Sequence, residues 1–352
     1  MRRISAVLAG SGSCVKRLAI LGLLFAHSAF AAVPADRLAL LSRGVNLVDV
    51  FQKTAVQLDG EIVGVKRAGL RHIRFFVDPA WVWQNGEPQH LDQLIQHAQA
   101  AGLGVIICMN SYTKNFADDP QIIAAWTRAW QEIARHYADS NPGTVFFELV
   151  NEPPLADANR WATIQDGLRQ VVRPIVPRHT LLLTSSPDST ALALTQLPIS
   201  HDDNVVYTFH IYQPMVFTHQ GAEWANPSFA SIHDLQYPPQ QPNLTIVERQ
   251  ASQERQADVR NYGRFGQAIM NGEIMLAVIW AREHDVSLAV TEFGVYRNAP
   301  PPSRAMWLRD VRTALEKNKV GWSVWEYNAG FGIKPELDLG CGPIPQALGL
   351  CS

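Results

Sequence analysis

Val145-Phe146-Phe147-Glu148-Leu149-Val150-Asn151-Glu152-Pro153 is a short apolar run that stops abruptly in polar residues. Such a run reads as a strand buried on both faces, the habit of parallel sheets. The pattern recurs on either side of it. Upstream lie residues 43–48, 72–78 and 104–110; downstream lie 180–187, 205–212, 287–296 and 320–328. Helix-like stretches separate them. Leu91, Leu94, Ile95 and Ala98 follow helical spacing within 91–101, residues 122–137 run up to a stop at Asn141-Pro142-Gly143, and 304–317 form a third helical stretch. Strands alternating with helices imply parallel pairing. Eight such units imply a single (β/α)8 TIM barrel. The interval from Tyr212 to Ser287 is far longer than the rest and rich in proline. A helix is predicted to resume near Phe265 and run to about His284. The remainder, residues 213–264, is predicted to be a long loop insertion over the C-terminal face of the barrel, as long loops in compact domains usually serve function.

The 352 residues are 47% apolar and 18% charged, with net charge −2, which excludes a disordered chain. Near-neutral charge also argues against nucleic acid as a partner, since phosphate binding needs a basic surface. Residues 1–31 read as a secretory signal peptide. They carry Arg2, Arg3, Lys16 and Arg17, an apolar run from Leu18 to Phe25 and the small-residue end Ala29-Phe30-Ala31. That run is too short to span a bilayer. A secreted or periplasmic domain over 32–352 is therefore expected, monomeric and with no membrane insertion after cleavage. Cys14 would leave with the leader. Cys108 lies in an apolar run and reads as a buried small hydrophobe. Cys341 and Cys351 flank a short C-terminal segment and could pair in an oxidising compartment. No CxxC or HxxxH spacing offers a metal site, and neither metal nor cofactor is expected.

Chemistry in such a barrel sits where strands end. The polar residues there are Arg74 and Asp78, Asn110, Glu148, Asn151 and Glu152, His210 and Tyr212, Glu292, and Trp325 with Glu326. Glu152 and Glu292 end strands four and seven, on different sides of the barrel mouth. Paired carboxylates across a cleft are what glycosidic bond cleavage needs. Ser185-Ser186 lacks the strained turn of a serine hydrolase.

Arg74, Asn151-Glu152-Pro153, His210, Tyr212, Glu292 and Trp325, in that order, resemble glycoside hydrolase family 5, the cellulase-type retaining β-glycosidases of clan A. The resemblance spans about residues 41–330. It implies Glu152 as general acid/base and Glu292 as nucleophile. It implies Asn151 at the sugar 2-hydroxyl, Arg74 and Tyr212 on Glu292, His210 lining the site, and Trp325 as the flat floor beneath the sugar. The two acids must then be pushed apart in basicity by their surroundings. A His often found at the end of strand three is replaced by Asn110, which with Lys114 could reach a substrate hydroxyl. Trp81, Trp83 and Trp224 are candidate cleft residues, whereas Trp126, Trp130, Trp280 and Trp307 fall on helices and read as core. Glu148 reads as structural. The implied activity is endo-hydrolysis of a β-1,4-glucan. A bacterial exopolysaccharide or β-mannan is the rival substrate. A non-catalytic carbohydrate-binding barrel is the rival of another class, against which both acids stand.

Overall fold

A computed structural model describes residues 33–79, 87–111 and 118–351. Eight parallel strands close into a barrel in sequence order: β1 Arg43–Asn46, β2 His72–Val77, β3 Gly104–Met109, β4 Val145–Glu148, β5 Leu181–Thr184, β6 Val205–Ile211, β7 Ser287–Phe293 and β8 Gly321–Val324. β8 returns to pair with β1, so the sheet has no free edge. Each strand lies within an apolar run read from the sequence. No helix among the described residues is long and apolar enough to cross a membrane.

The connecting helices start where local chemistry says they should. Thr54 and Gln57 form a reciprocal capping box at Ala55–Arg67, and Asp119 and Asp157 cap Pro120–His136 and Ala158–Val172. Their apolar faces, including Trp126, Trp130, Trp161 and Trp307, pack with the outward strand residues into one large core. Trp280 is buried against Tyr207.

The barrel interior is layered, as side chains from alternate strands must be. At the bottom Leu41, Ile106, Phe146, Leu182, Val206 and Ala289 form an apolar plug. Above it the interior turns polar. His72 donates from Nδ1 to the Leu40 carbonyl at 2.9 Å and accepts from the Ser323 hydroxyl at Nε2, 2.6 Å away. Burial pushes this imidazole down to about 4, so it is neutral. Arg74, Glu148 and Thr291 lie in the same polar interior.

The stretch between β6 and β7 corrects one sequence expectation. The helix there is Gln253–Glu283, beginning well before Phe265. Residues 253–264 are good helix formers with sparse apolar anchors, Val259 and Tyr262, which a search for apolar periodicity passes over. Nor is the rest an open loop. It holds the short helices Met215–Thr218, Pro227–Ser231 and Asn243–Gln250, and it buries Phe217, Phe229, Tyr237 and Leu244. At the other end of the chain Cys341 and Cys351 are joined in a disulfide that closes the turn around the helix Pro343–Ala347.

Candidate active site

β7 is the key to the geometry. Phe209 of β6 pairs with Val290, but His210 pairs with Glu292, so β7 carries one extra residue at Thr291. The result is a β-bulge, and bulges re-aim side chains. Ala289 faces the interior and Val290 the outer core. Thr291 and Glu292 then both face the interior, and Phe293 returns to the outer core. A bulge leaves a backbone group without its ladder partner. Here Asn46 donates its side-chain amide to the Thr291 carbonyl at 3.0 Å and to that of Val324 at 3.2 Å.

Arg74 rises from β2 into the middle of this cluster and is completely buried. Its Nη1 donates to Glu292 Oε1 and to Asn46 Oδ1, both at 2.7 Å. Its Nε and Nη2 form a fork on Glu148 at 2.6 and 3.1 Å, and Nη2 also reaches Asn151 Oδ1 at 2.7 Å. Cys108 lies against the same nitrogen at 3.4 Å, so it is buried as expected but beside a charge instead of in a purely apolar setting. Burial opposes the charge on Arg74, yet Cys108, Glu148 and Glu292 around it hold the guanidinium well above its ordinary value. Because Asn151 accepts from Arg74 through its oxygen, its amide N–H groups are left to donate elsewhere.

Glu292 receives a second donor. The Tyr212 hydroxyl donates to Oε2 at 2.8 Å, and burial with Glu292 nearby keeps that phenol protonated. Glu152 stands opposite with a backbone φ of 38°, a left-handed conformation that costs a non-glycine residue energy. His210 connects the two sides. Its Nδ1 donates to Glu152 Oε1 at 2.7 Å, and its Nε2 lies 3.1 Å from the Thr291 hydroxyl. That hydroxyl spends its proton on Glu148 at 3.2 Å, so it accepts from the ring. Both ring nitrogens therefore donate. The direction of its titration agrees: burial disfavours the cation, but Glu292 and the bond to Glu152 outweigh it and raise the imidazole above its usual value. A carboxylate oxygen of Glu152 and one of Glu292 lie within 4.8 Å of each other.

Trp325 stands half-buried at the end of β8, with its ring 5.7 Å from that of Phe76. The Phe76 ring in turn covers Arg74 at 4.9 Å. An ideal Cβ on Gly294 would lie 2.3 Å from the Trp325 carbonyl, so only glycine lets the end of β7 approach so closely. Glu326 turns away from the cleft and accepts from the backbone N–H groups of Asn328 and Phe331 at 3.0 and 2.9 Å. Trp224, 58% exposed, reaches the cleft from the insertion, lying tilted against His219 and edge-on to Tyr296 and Phe331. Together these residues line a cleft of about 520 Å³ containing Glu152, His210, Tyr212, Glu292, Trp325 and Trp224. Asn110 lines a neighbouring hollow of about 230 Å³ with Phe76, Asp78 and residues of the β1 loop. Trp81, Trp83 and Lys114 lie outside the described residues, as does the 1–31 leader.

Sequence reading passed over several residues that support or line the site. Asn46, Thr291 and His219 look like ordinary core polar positions. Phe331 and Met215 look like ordinary core apolar positions. Glu273 sits mid-helix at no strand end, yet it lines the cleft. Burial raises the Glu273 carboxyl to about 7 from an ordinary 4.5. The folded protein therefore holds this proton where the unfolded chain releases it, and stability should fall as pH rises between those values. Glu273→Gln removes that loss. Its midpoint temperature should gain on wild type between pH 5 and pH 8 in thermal melts, and a constant difference would contradict the shift.

Residues 62–330 match the family model Cellulase (glycosyl hydrolase family 5). Endoglucanase 3 of Fibrobacter succinogenes is 29% identical over 237 residues, covering 64% of this chain and 36% of that protein. The chain thus spans about a third of that relative's length. Endoglucanase C of Acetivibrio thermocellus is 23% identical over 285 residues, covering 76% of this chain and 82% of its own. Among solved structures, Cel5A of Thermotoga maritima with cellobiose superposes at a TM-score of 0.74, with 24% identity over 90% of this chain and 99% of that one. The match runs over most of the barrel, and the chain belongs to glycosyl hydrolase family 5, the cellulase family, as a glycoside hydrolase.

Proposed function

We propose that the protein is a retaining endo-β-1,4-glucanase, secreted or periplasmic, working as a single catalytic domain over residues 32–352 after loss of a 1–31 leader. The observation that carries the mechanism is the short gap between carboxylates: oxygens of Glu152 and Glu292 approach within 4.8 Å. Retaining enzymes hold their acids roughly 5–5.5 Å apart, whereas inverting enzymes need room for a water and space them about 6.5–9.5 Å. Glu292, oriented by Arg74 and Tyr212, attacks the anomeric carbon as nucleophile. Glu152, held by His210, protonates the leaving oxygen and then draws a proton from the water that releases the glycosyl-enzyme. Asn151, its oxygen fixed by Arg74, donates to the sugar 2-hydroxyl, a bond that tightens in the transition state. Trp325 supplies the flat floor. The Cys341–Cys351 disulfide supports an oxidising destination.

The test is product analysis on a panel of cellulose oligosaccharides, carboxymethylcellulose, β-mannan and bacterial exopolysaccharides. Proton NMR follows the anomer released first. β-anomer from a β-glucan, with internal cuts, is the expected result; α-anomer would overturn retention. Mannan belongs in the panel because a Thermotoga maritima Cel5A structure was solved with mannotriose. A second expectation concerns Trp224. As an exposed stacking surface it should contribute about 0.5–1.5 kcal/mol to polysaccharide binding, so Trp224→Ala should raise KM several-fold. The melting temperature should barely move. Unchanged KM with a lower melting temperature would assign the ring to packing instead.

A further inference from the structure

The helix Gln253–Glu283 packs against the short helices that follow β5 and β6, Ala191–Leu194 and Met215–Thr218. This sector of the mouth adjoins Glu152, which follows β4. In the reaction proposed above, Glu152 hands its proton to the departing sugar, so the wall beyond it is the leaving-group side of the cleft. That wall is formed by Asp188, Thr190, Met215 and Glu273. The Thr190 hydroxyl is committed to the backbone, accepting from the Ala193 N–H at 3.2 Å as the cap of its helix. Glu273 is different. Its Oε2 is buried and has no hydrogen-bond partner, and among the described residues it is the only buried orphan that lines this cleft. Oε2 itself is closed off from the cleft, so the carboxyl meets a bound group through Oε1, the oxygen that is not buried. Beyond Gln213, Met215 and Ala225 the cleft adjoins a further hollow of about 470 Å³, lined by Asn226, Asp258 and Asn261, so the wall does not end at Glu273.

We infer that Glu273 is a specificity-determining residue of the leaving-group subsite: its carboxyl hydrogen-bonds a hydroxyl of the sugar that leaves past Glu152, and so favours a sugar leaving group over an aryl one. This rests on the retaining-glycosidase reading. Burial supports it, because a carboxyl raised to about 7 is partly protonated near neutrality and can both donate to and accept from a hydroxyl.

The experiment measures kcat/KM of wild type, Glu273→Ala and Glu273→Gln on cellotetraose and on 4-nitrophenyl β-cellobioside. Glu273→Ala should lower the ratio of the two values, sugar over aryl, by about tenfold, the scale set when a buried group meant for a hydroxyl is lost. Glu273→Gln, which keeps a donor and an acceptor, should lower it by less. A parallel readout traps the enzyme with a 2-fluoro cellobioside and follows its reactivation. Cellobiose should speed release from wild type and lose that effect on Glu273→Ala, with release to water retained. A ratio within twofold of wild type, or equal losses on both substrates, would overturn the assignment and leave Glu273 a structural residue. Wild-type protein inert toward both substrates would overturn the glycosidase reading, and the subsite with it.

Discussion

Glu292→Gln should lower kcat on a soluble β-glucan by roughly 10⁴–10⁶-fold, the scale on which removing a covalent nucleophile acts. The variant keeps the shape of the side chain and one acceptor for Arg74 and Tyr212, which lie 2.7 and 2.8 Å from the two carboxylate oxygens. It should therefore fold, and any loss reports chemistry. Glu292→Ala opens space behind the anomeric carbon, and added azide should restore turnover as an α-glycosyl azide. Glu152→Ala should behave differently. It should lose little on an activated aryl leaving group in the first step, and azide should give a β-glycosyl azide, because the anion then attacks the covalent intermediate in place of water. Identical azide products from both variants would show that the two roles are wrongly divided.

Arg74→Met should be the most destabilising single change in the barrel interior. The guanidinium is completely buried and divides its bonds among Glu148, Glu292, Asn46 and Asn151. Removing one partner of a buried ion pair strands the other charge and typically costs about 3–5 kcal/mol. For a chain of this size that lowers the melting temperature by about 4–8 °C. Activity should fall as well, since Glu292 and the Asn151 amide lose their common anchor. Adding Glu148→Gln to Arg74→Met should recover part of the stability by removing a stranded charge, while activity stays low. Calorimetry and kcat/KM on the single and double variants separate the two effects. Full recovery of activity in the double variant would mean that Arg74 only neutralises Glu148.

Strand positions were legible in the sequence because each apolar run is buried on two faces and ends in a polar residue at the barrel mouth. For the same reason Glu152, His210, Tyr212, Glu292 and Trp325 could be picked out: they sit at strand ends, and one cleft gathers them. Other features depend on contacts between residues far apart in the chain. Arg74 touches Cys108 only because β2 and β3 pair in register. The helix start at Gln253 was missed because its anchoring residues are sparse and its partners come from elsewhere. Glu273 was invisible because a glutamate in the middle of a polar helix reads as solvent-facing. Asn110 ends a strand as the site residues do and opens on a neighbouring hollow beside Phe76, since position at a strand end does not say into which part of the mouth a side chain turns.

The extra residue in β7 acts like a frameshift in a two-letter code. Below Thr291 the strand spells inside at odd positions, and the next inside letter is even, at Glu292. Deleting Thr291 would restore an unbroken reading frame and give β7 a regular ladder with β6. The same deletion would remove the hydroxyl that accepts from His210 and the carbonyl that receives Asn46. Any redesign of this barrel toward ideal strands thus meets a conflict at one position. The most regular β7 is not the one that gives His210 its acceptor and Asn46 its carbonyl.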